Sequence, residues 1–103
     1  MTTVSTHVLD LQTGRPAAGI SVRLERLGFD GAKLVGNAVT DEDGRVDGLG
    51  GEVGSGDHLI TFETADHPFY PEVAVVFRVG DGDDHLHIPL LLSRYGYTTY
   101  RGS

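Results

Sequence analysis

The stretch Asp84-His85-Leu86-His87-Ile88-Pro89-Leu90-Leu91-Leu92-Ser93 decides the fold class, together with the tyrosine-rich residues 95–101 that follow it. The apolar residues at positions 86, 88, 90 and 92 recur at every second position, which is the period of a β-strand with one buried face. Tyrosine and threonine in residues 95–101 favour a pleated, half-buried surface. We therefore predict strands at residues 84–92 and 95–101 and an ordered chain end.

The same alternation continues upstream, for example at Val73, Val75, Phe77 and Val79. Glycine-rich turn signals separate the alternating segments at intervals of roughly 8–12 residues, a spacing typical of an all-β sandwich or barrel. No helical pattern of useful length interrupts them. We predict an all-β fold of about eight strands, near residues 3–10, 19–27, 33–40, 45–47, 57–64, 73–79, 84–92 and 95–101.

Length and charge limit the domain count and the partners. The chain has 103 residues, and we place a single domain at residues 1–103. Its formal net charge is −7, and its eight cations are scattered along the sequence. Nucleic acids and anionic membranes both require a concentrated positive patch, so we expect neither as a partner.

Cysteine content and the N-terminal residues bear on chemistry and location. The chain has no cysteine, which excludes disulfides and a thiolate nucleophile. The first seven residues contain neither a basic start nor an apolar run, so we expect no signal peptide and a cytoplasmic location. No segment approaches the ~20 apolar residues that span a bilayer.

Three of the five histidines fall on predicted polar strand faces. In a strand over 84–92, His85 and His87 project away from the leucine face, and in a strand over 3–10, His7 projects away from Val4 and Val8. For an arbitrary histidine, plain solvent exposure is the default interpretation. His58 and His67 carry no feature that changes it.

Zinc and a catalytic triad are alternatives that the residues support weakly. His7, His85 and His87 could supply three imidazoles, the ligand count of a catalytic zinc site. However, a His-x-His pair is common by chance, and no carboxylate stands at a recognisable ligand spacing. A Ser-His-Asp triad has less support, because no serine occurs in a nucleophile-elbow motif.

Arg45 follows the acidic turn Asp41-Glu42-Asp43-Gly44. Taken alone, it is a surface cation that balances neighbouring carboxylates, a pairing worth only ~0–1 kcal/mol when exposed. A guanidinium is also suited to hold a planar, carbonyl-rich ligand through paired hydrogen bonds. The residues alone leave both interpretations open.

Four sequence motifs, taken together and in this order, resemble those of a known family. They are His7-Val8-Leu9-Asp10 with Thr13-Gly14-Arg15-Pro16-Ala17, Thr40-Asp41-Glu42-Asp43-Gly44-Arg45, His85-Leu86-His87-Ile88-Pro89-Leu90, and Tyr100-Arg101-Gly102-Ser103. With them the chain resembles the transthyretin-related proteins of the 5-hydroxyisourate hydrolase type over essentially its whole length. The resemblance implies a transthyretin-like (prealbumin-like) sandwich of two sheets. The family's usual short helix after the fifth strand should be reduced or absent, since only residues 65–71 occupy that connection.

The resemblance also implies an activity. This is the hydrolytic ring opening of 5-hydroxyisourate to 2-oxo-4-hydroxy-4-carboxy-5-ureidoimidazoline, in urate breakdown, without metal or other cofactor. It implies His7, Arg45 and His87 as catalytic and substrate-binding residues, with the two histidines as an acid/base pair. Tyr100, Arg101 and Ser103 would bind substrate and close the pocket, and the assembly would be a homotetramer, a dimer of dimers.

Two other function classes remain. A transthyretin-like carrier would bind a small hydrophobic ligand in the tetramer channel, but hormone-binding transthyretins lack the terminal Tyr-Arg-Gly-Ser, and a channel lined by His and Arg suits a small polar purine. A module used only for protein interaction would leave the four motifs unexplained. We therefore expect the hydrolase.

Overall fold

The computed structural model describes residues 1–102, and Ser103 lies outside the described residues. The described chain is built of β-strands and turns, and within it no helix is long and apolar enough to cross a membrane. The strands are β1 (Thr2–Asp10), β2 (Arg15–Pro16), β3 (Ser21–Gly28), β4 (Gly31–Val39), β5 (Arg45–Val46), β6 (Glu52–Val53), β7 (Gly56–Glu63), β8 (Glu72–Val79), β9 (His85–His87), β10 (Leu90–Leu92) and β11 (Tyr97–Thr99).

The strands form two sheets. Strand β1 is the centre of the first sheet, since the parallel strands β9 and β10 pair along one edge and the short antiparallel strands β2, β5 and β6 pair along the other. Strand β11 extends this sheet beyond β10. The second sheet has the order β4-β3-β7-β8 and is antiparallel throughout. The prediction of an all-β sandwich of two sheets is confirmed.

The core is formed by one face of each sheet. Val4 and Val8 of β1 belong to the same buried cluster as Ile60 and Phe62 of β7, and all four are fully buried. Full burial of such side chains stabilises the fold by roughly 1.5–3 kcal/mol each. Leu49, from the glycine-rich loop between β5 and β6, joins this cluster, and its N–H donates to the Val4 carbonyl at 2.8 Å.

Each of the eight predicted strands overlaps a strand of the structure. Residues 1–102 contain eleven strands, because the short strands β2 and β6 are added and the strand predicted at 84–92 is divided into β9 and β10. Strands β2 and β6 contain two residues each, which is too short for an alternation to be detectable. The predicted strand at 84–92 is interrupted at Ile88 and Pro89, although β9 and β10 keep one register along β1. Pro89 stands opposite His7 in that register. The Ile88 N–H donates to the Ser5 carbonyl at 2.9 Å, so the backbone of Pro89, the next residue, faces away from β1.

Turns replace a helix in residues 65–71, as predicted from the shortness of this connection. His67 organises them, because its Nδ1 accepts the N–H groups of Phe69 and Tyr70 at 3.0 and 2.8 Å. Its Nε2 donates to the Ser93 carbonyl at 2.7 Å, which links the connection to the end of β10. His67 is therefore a structural residue.

Candidate active site

The outward face of β1 carries the first predicted site residue. His7 is half-buried on this face, and its strand neighbour on β5 is Arg45. Directly opposed residues of two strands project on the same side and have Cβ atoms roughly 4.5–5.5 Å apart. His7 Nε2 lies 2.8 Å from the Asp43 carbonyl oxygen and donates to it, so Nε2 carries a ring proton.

The acidic turn before β5 fixes the backbone of Arg45. Asp41 Oδ1 accepts the N–H groups of Asp43 at 2.9 Å and of Arg45 at 3.0 Å. Gly44 has φ +75°, and its carbonyl accepts the Val8 N–H at 2.8 Å, which ties the turn to β1. Within residues 1–102 Arg45 forms no ion pair, so the turn carboxylates do not neutralise it there. Its guanidinium is exposed on the site face.

His87 reaches the same face from β9. It pairs with Ser5, which lies two residues before His7 on β1, and its Nδ1 is 2.8 Å from Ser5 Oγ. Its backbone carbonyl accepts the Gly102 N–H at 2.7 Å, in an antiparallel bridge with the chain end. The predicted ordering of the chain end therefore holds through Gly102.

Burial and neighbouring positive charge act together on His87. Its pKa is lowered, first by burial and then by the charges of Arg45, His7 and His85, while Asp47 acts in the opposite direction. Both main causes favour the neutral imidazole. His87 therefore keeps an unprotonated ring nitrogen at a pH where an ordinary histidine begins to charge.

The predicted site residues near the chain end, Tyr100 and Arg101, lie in surroundings different from those of His7, Arg45 and His87. Tyr100 is exposed, and together with Arg101 it lines a mostly apolar cavity of about 190 Å³ at the open edge between the sheets. Arg101 Nη2 lies 3.0 Å from Asp83 Oδ1. The Gly80 N–H and this guanidinium lower the pKa of Asp83. The structure thus brings His7, Arg45 and His87 together but pairs Arg101 with Asp83, and the predicted Ser103 lies outside the described residues.

Sequence reasoning gave Ser5 and His85, two polar residues beside His87, no role in the predicted hydrolase site. Ser5 Oγ also lies 2.9 Å from His85 Nε2, and His85 Nδ1 lies 2.6 Å from Thr3 Oγ1. The available signal was the spacing, since Ser5 precedes His7 by two residues and His85 precedes His87 by two. For His58 the default of solvent exposure is wrong: it is buried in the second sheet, stacked on Phe77, with Nδ1 3.0 Å from the Gly56 carbonyl.

The arrangement has the chemistry of a small anion or carbonyl site. A permanent cation and two imidazoles share one face of a protein whose net charge is −7. Among residues 1–102 no three His, Asp or Glu side chains are grouped so that they could hold a metal ion, and this includes the three histidines considered for zinc.

The chain is similar to known proteins over nearly its whole length. The HIUase/Transthyretin family profile matches residues 4–102. The curated 5-hydroxyisourate hydrolase of Salmonella dublin is 41% identical over 109 residues, which cover 97% of this chain and 80% of the relative. The solved structure of the 5-hydroxyisourate hydrolase of Klebsiella pneumoniae is 35% identical, with a TM-score of 0.85 and complete coverage of both chains.

Two further solved structures share the fold. Transthyretin from Sparus aurata is 27% identical, with a TM-score of 0.88 over 97% of this chain and 96% of its own. An (S)-allantoin synthase is 34% identical with a TM-score of 0.84, and the match covers 99% of this chain but only 44% of that longer protein. The same fold therefore occurs in a 5-hydroxyisourate hydrolase, a transthyretin and an (S)-allantoin synthase.

Proposed function

Because the chain belongs to the HIUase/Transthyretin family, we propose that it is a hydrolase that opens the ring of 5-hydroxyisourate, giving 2-oxo-4-hydroxy-4-carboxy-5-ureidoimidazoline. The observation that carries the proposal is the meeting of His7, Arg45 and His87 on one outward sheet face. Transthyretin shares the fold, so the fold alone does not separate hydrolase from carrier. These three polar side chains favour the hydrolase, since a carrier of hydrophobic ligands has no use for them.

The reaction makes three demands on the site. The attacking water must lose a proton, the oxyanion that forms on the attacked carbonyl must be stabilised, and the leaving ring nitrogen must gain a proton. The bond that forms joins the water oxygen to the carbonyl carbon, and the bond that breaks joins that carbon to the ring nitrogen. No electron transfer is involved, so the residues need only move protons and stabilise charge.

We assign the base to His87. Its lowered pKa keeps it neutral near pH 7, and its Nδ1 is engaged with Ser5, which leaves Nε2 to take the proton of the water. His7 is the acid in this scheme. Its Nε2–H is held by the Asp43 carbonyl, so a proton on Nδ1 is the one available to the leaving nitrogen.

Arg45 binds the substrate in this proposal. Its charge is permanent and its fork of N–H groups matches the carbonyl-rich edge of an oxidised purine. As the carbonyl oxygen becomes an oxyanion, the same groups gain strength, which lowers the barrier rather than only the binding energy. Removal of a single such donor typically costs about 10²–10³-fold in kcat.

The remaining parts of the proposal concern the pocket and the assembly. The site face is open in one chain, because Arg45 is exposed and His7 and His87 are only half-buried. A homotetramer, a dimer of dimers, would cover this face with another subunit and turn it into a pocket. Tyr100, Arg101 and Ser103 would contribute to the rim of this pocket. Arg101 would do so either while it is paired with Asp83 or after it has left Asp83. The cytoplasmic location stays a prediction.

The direct test follows the ultraviolet absorbance of freshly generated 5-hydroxyisourate, with and without chelator-treated protein. We expect the wild type to accelerate decay beyond the spontaneous rate and His87→Asn to abolish the acceleration while the melting temperature stays within a few degrees. No acceleration by the wild type would favour a carrier, and activity only with added zinc would favour a metal site. A collapse of the melting temperature in His87→Asn would make this residue structural.

A further inference from the structure

A row of four hydrogen-bonded side chains leads along the site face to His87. Thr3 Oγ1 lies 2.6 Å from His85 Nδ1, His85 Nε2 lies 2.9 Å from Ser5 Oγ, and Ser5 Oγ lies 2.8 Å from His87 Nδ1. The row follows from the strand register, in which Thr3 pairs with His85 and Ser5 with His87. Ser5 is buried and only 5% exposed, whereas His85 is exposed.

The single hydroxyl proton of Ser5 has two imidazole neighbours. A serine hydroxyl donates one hydrogen bond and accepts others, so Ser5 donates to one ring and accepts from the other. The direction of the row is assigned from its far end. There the Thr3 hydroxyl has the Asp84 carbonyl at 3.5 Å, an acceptor that has no proton to give.

With Asp84 as the final acceptor, every proton in the row has a place. The Thr3 hydroxyl donates to the Asp84 carbonyl, His85 Nδ1–H donates to Thr3, and the Ser5 hydroxyl donates to His85 Nε2. The Ser5 oxygen must then accept from His87 Nδ1–H, and the lone pair of neutral His87 lies on Nε2.

We infer that Ser5 and His85 are positioning residues that hold His87 with its proton on Nδ1, so that Nε2 faces the reaction as the base. The catalytic part of this inference rests on the proposed function, whereas the hydrogen-bond direction is a property of the folded chain. Nucleophile and base sites generally need a third group that orients the base. In the serine-protease triad, loss of the group that fixes the histidine tautomer lowers kcat roughly 10⁴-fold.

Two variants of His85 separate positioning from other roles. His85→Leu removes the acceptor of the Ser5 proton, which frees that hydroxyl to donate to His87 Nδ1 and moves the His87 proton to Nε2. His85→Gln keeps an acceptor oxygen on a side chain of similar reach. Both changes lie at an exposed position, so both proteins should fold, and their melting temperatures check this.

The first readout is the tautomer of His87, measured in protein labelled with ¹⁵N-histidine from the shifts of the two ring nitrogens. We expect Nδ1–H in the wild type and in His85→Gln and Nε2–H in His85→Leu. The second readout is turnover of 5-hydroxyisourate. We expect kcat to fall about 10–100-fold in His85→Leu, as for other partners that orient a functional histidine, and to stay near the wild-type value in His85→Gln.

Three results would overturn the inference. Nε2–H in the wild type would show that the row runs in the opposite direction. Equal activity of both variants and the wild type would show that His85 does not act on His87, and an equal loss in both would show that His85 acts itself. If the wild type does not hydrolyse 5-hydroxyisourate, the proposed function fails, and the tautomer measurement decides the hydrogen-bond direction on its own.

Discussion

Adding one methyl group at Gly102 should disable the site without unfolding the protein. A Cβ at this position would stand 2.6 Å from His87 Cδ2 and 3.2 Å from its Cβ and Cγ. Ordinary van der Waals contact begins at 3.4 Å, so the imidazole or the chain end must move by about 0.8 Å, the difference between 3.4 and 2.6 Å. Gly102 is not among the glycines with positive φ, so alanine brings a steric clash and no backbone strain.

The size of the effect follows from that displacement. A misplacement of about 1 Å at a reacting group costs roughly 10²-fold in rate, so we expect kcat/KM of Gly102→Ala to fall by about that factor. If the chain end moves instead, the hydrogen bond from Gly102 N to the His87 carbonyl is lost, which costs about 0.5–1.5 kcal/mol of stability. Neither route unfolds the domain.

The assay is 5-hydroxyisourate decay, with Gly82→Ala as the matched control. Gly82 also lies outside the positive-φ set, and a Cβ there would meet nothing within 4 Å. The control should keep wild-type activity and melting temperature. Full activity of Gly102→Ala would refute the argument that the chain end sets the position of the His87 ring.

Two further predictions concern the core and the electrostatics. Leu49→Ala should lower the free energy of unfolding by about 2–5 kcal/mol in a denaturant titration, since the side chain is 2% exposed within the core cluster; a loss below ~1 kcal/mol would show that the loop is not anchored there. Arg45→Met should raise the His87 pKa toward 6.5 in an NMR titration, because one positive neighbour is removed. The wild type should lose stability as the pH falls from 6.5 through the lowered pKa, because the unfolded chain takes up the proton first, and this loss should be smaller in Arg45→Met. An unchanged His87 pKa would mean that the charge of Arg45 does not contribute to lowering it.

Strand faces were predictable because burial imposes a period of two. The alternation around Val4 and Val8 assigns His7 to the outward face, and the leucines of 84–92 assign His87 to the corresponding face of the neighbouring strand. The pairing of β1 with β9, which the alternation does not encode, brings the two motifs onto one surface. The resemblance supplied Arg45, which the residues alone leave as an ordinary surface cation.

Other features depend on contacts that no local pattern encodes. Leu49 lies in a stretch with four nearby glycines and shows no periodicity, yet its backbone hydrogen bond to Val4 directs it into the core. The orientation of Arg101 toward Asp83 depends on where the turn before β9 places a carboxylate. The hydrogen bond between Ser5 and His85 could be predicted only if the register of β1 against β9 were known exactly, without a shift of even one residue.

The position of Pro89 connects the irregularity of the sheet with the chemistry of the site. Pro89 follows His87 at the next position of the same strand face and stands opposite His7 in the register that β9 and β10 share. Opposed residues project on the same side of a sheet, so a long side chain at this position would occupy the space beside His7. Pro89 is buried, and it places a compact apolar ring at the position opposite His7. Arg45 occupies the other side of His7. The interruption of the predicted 84–92 strand therefore lies beside the candidate site, at the position opposite His7 and two residues after His87.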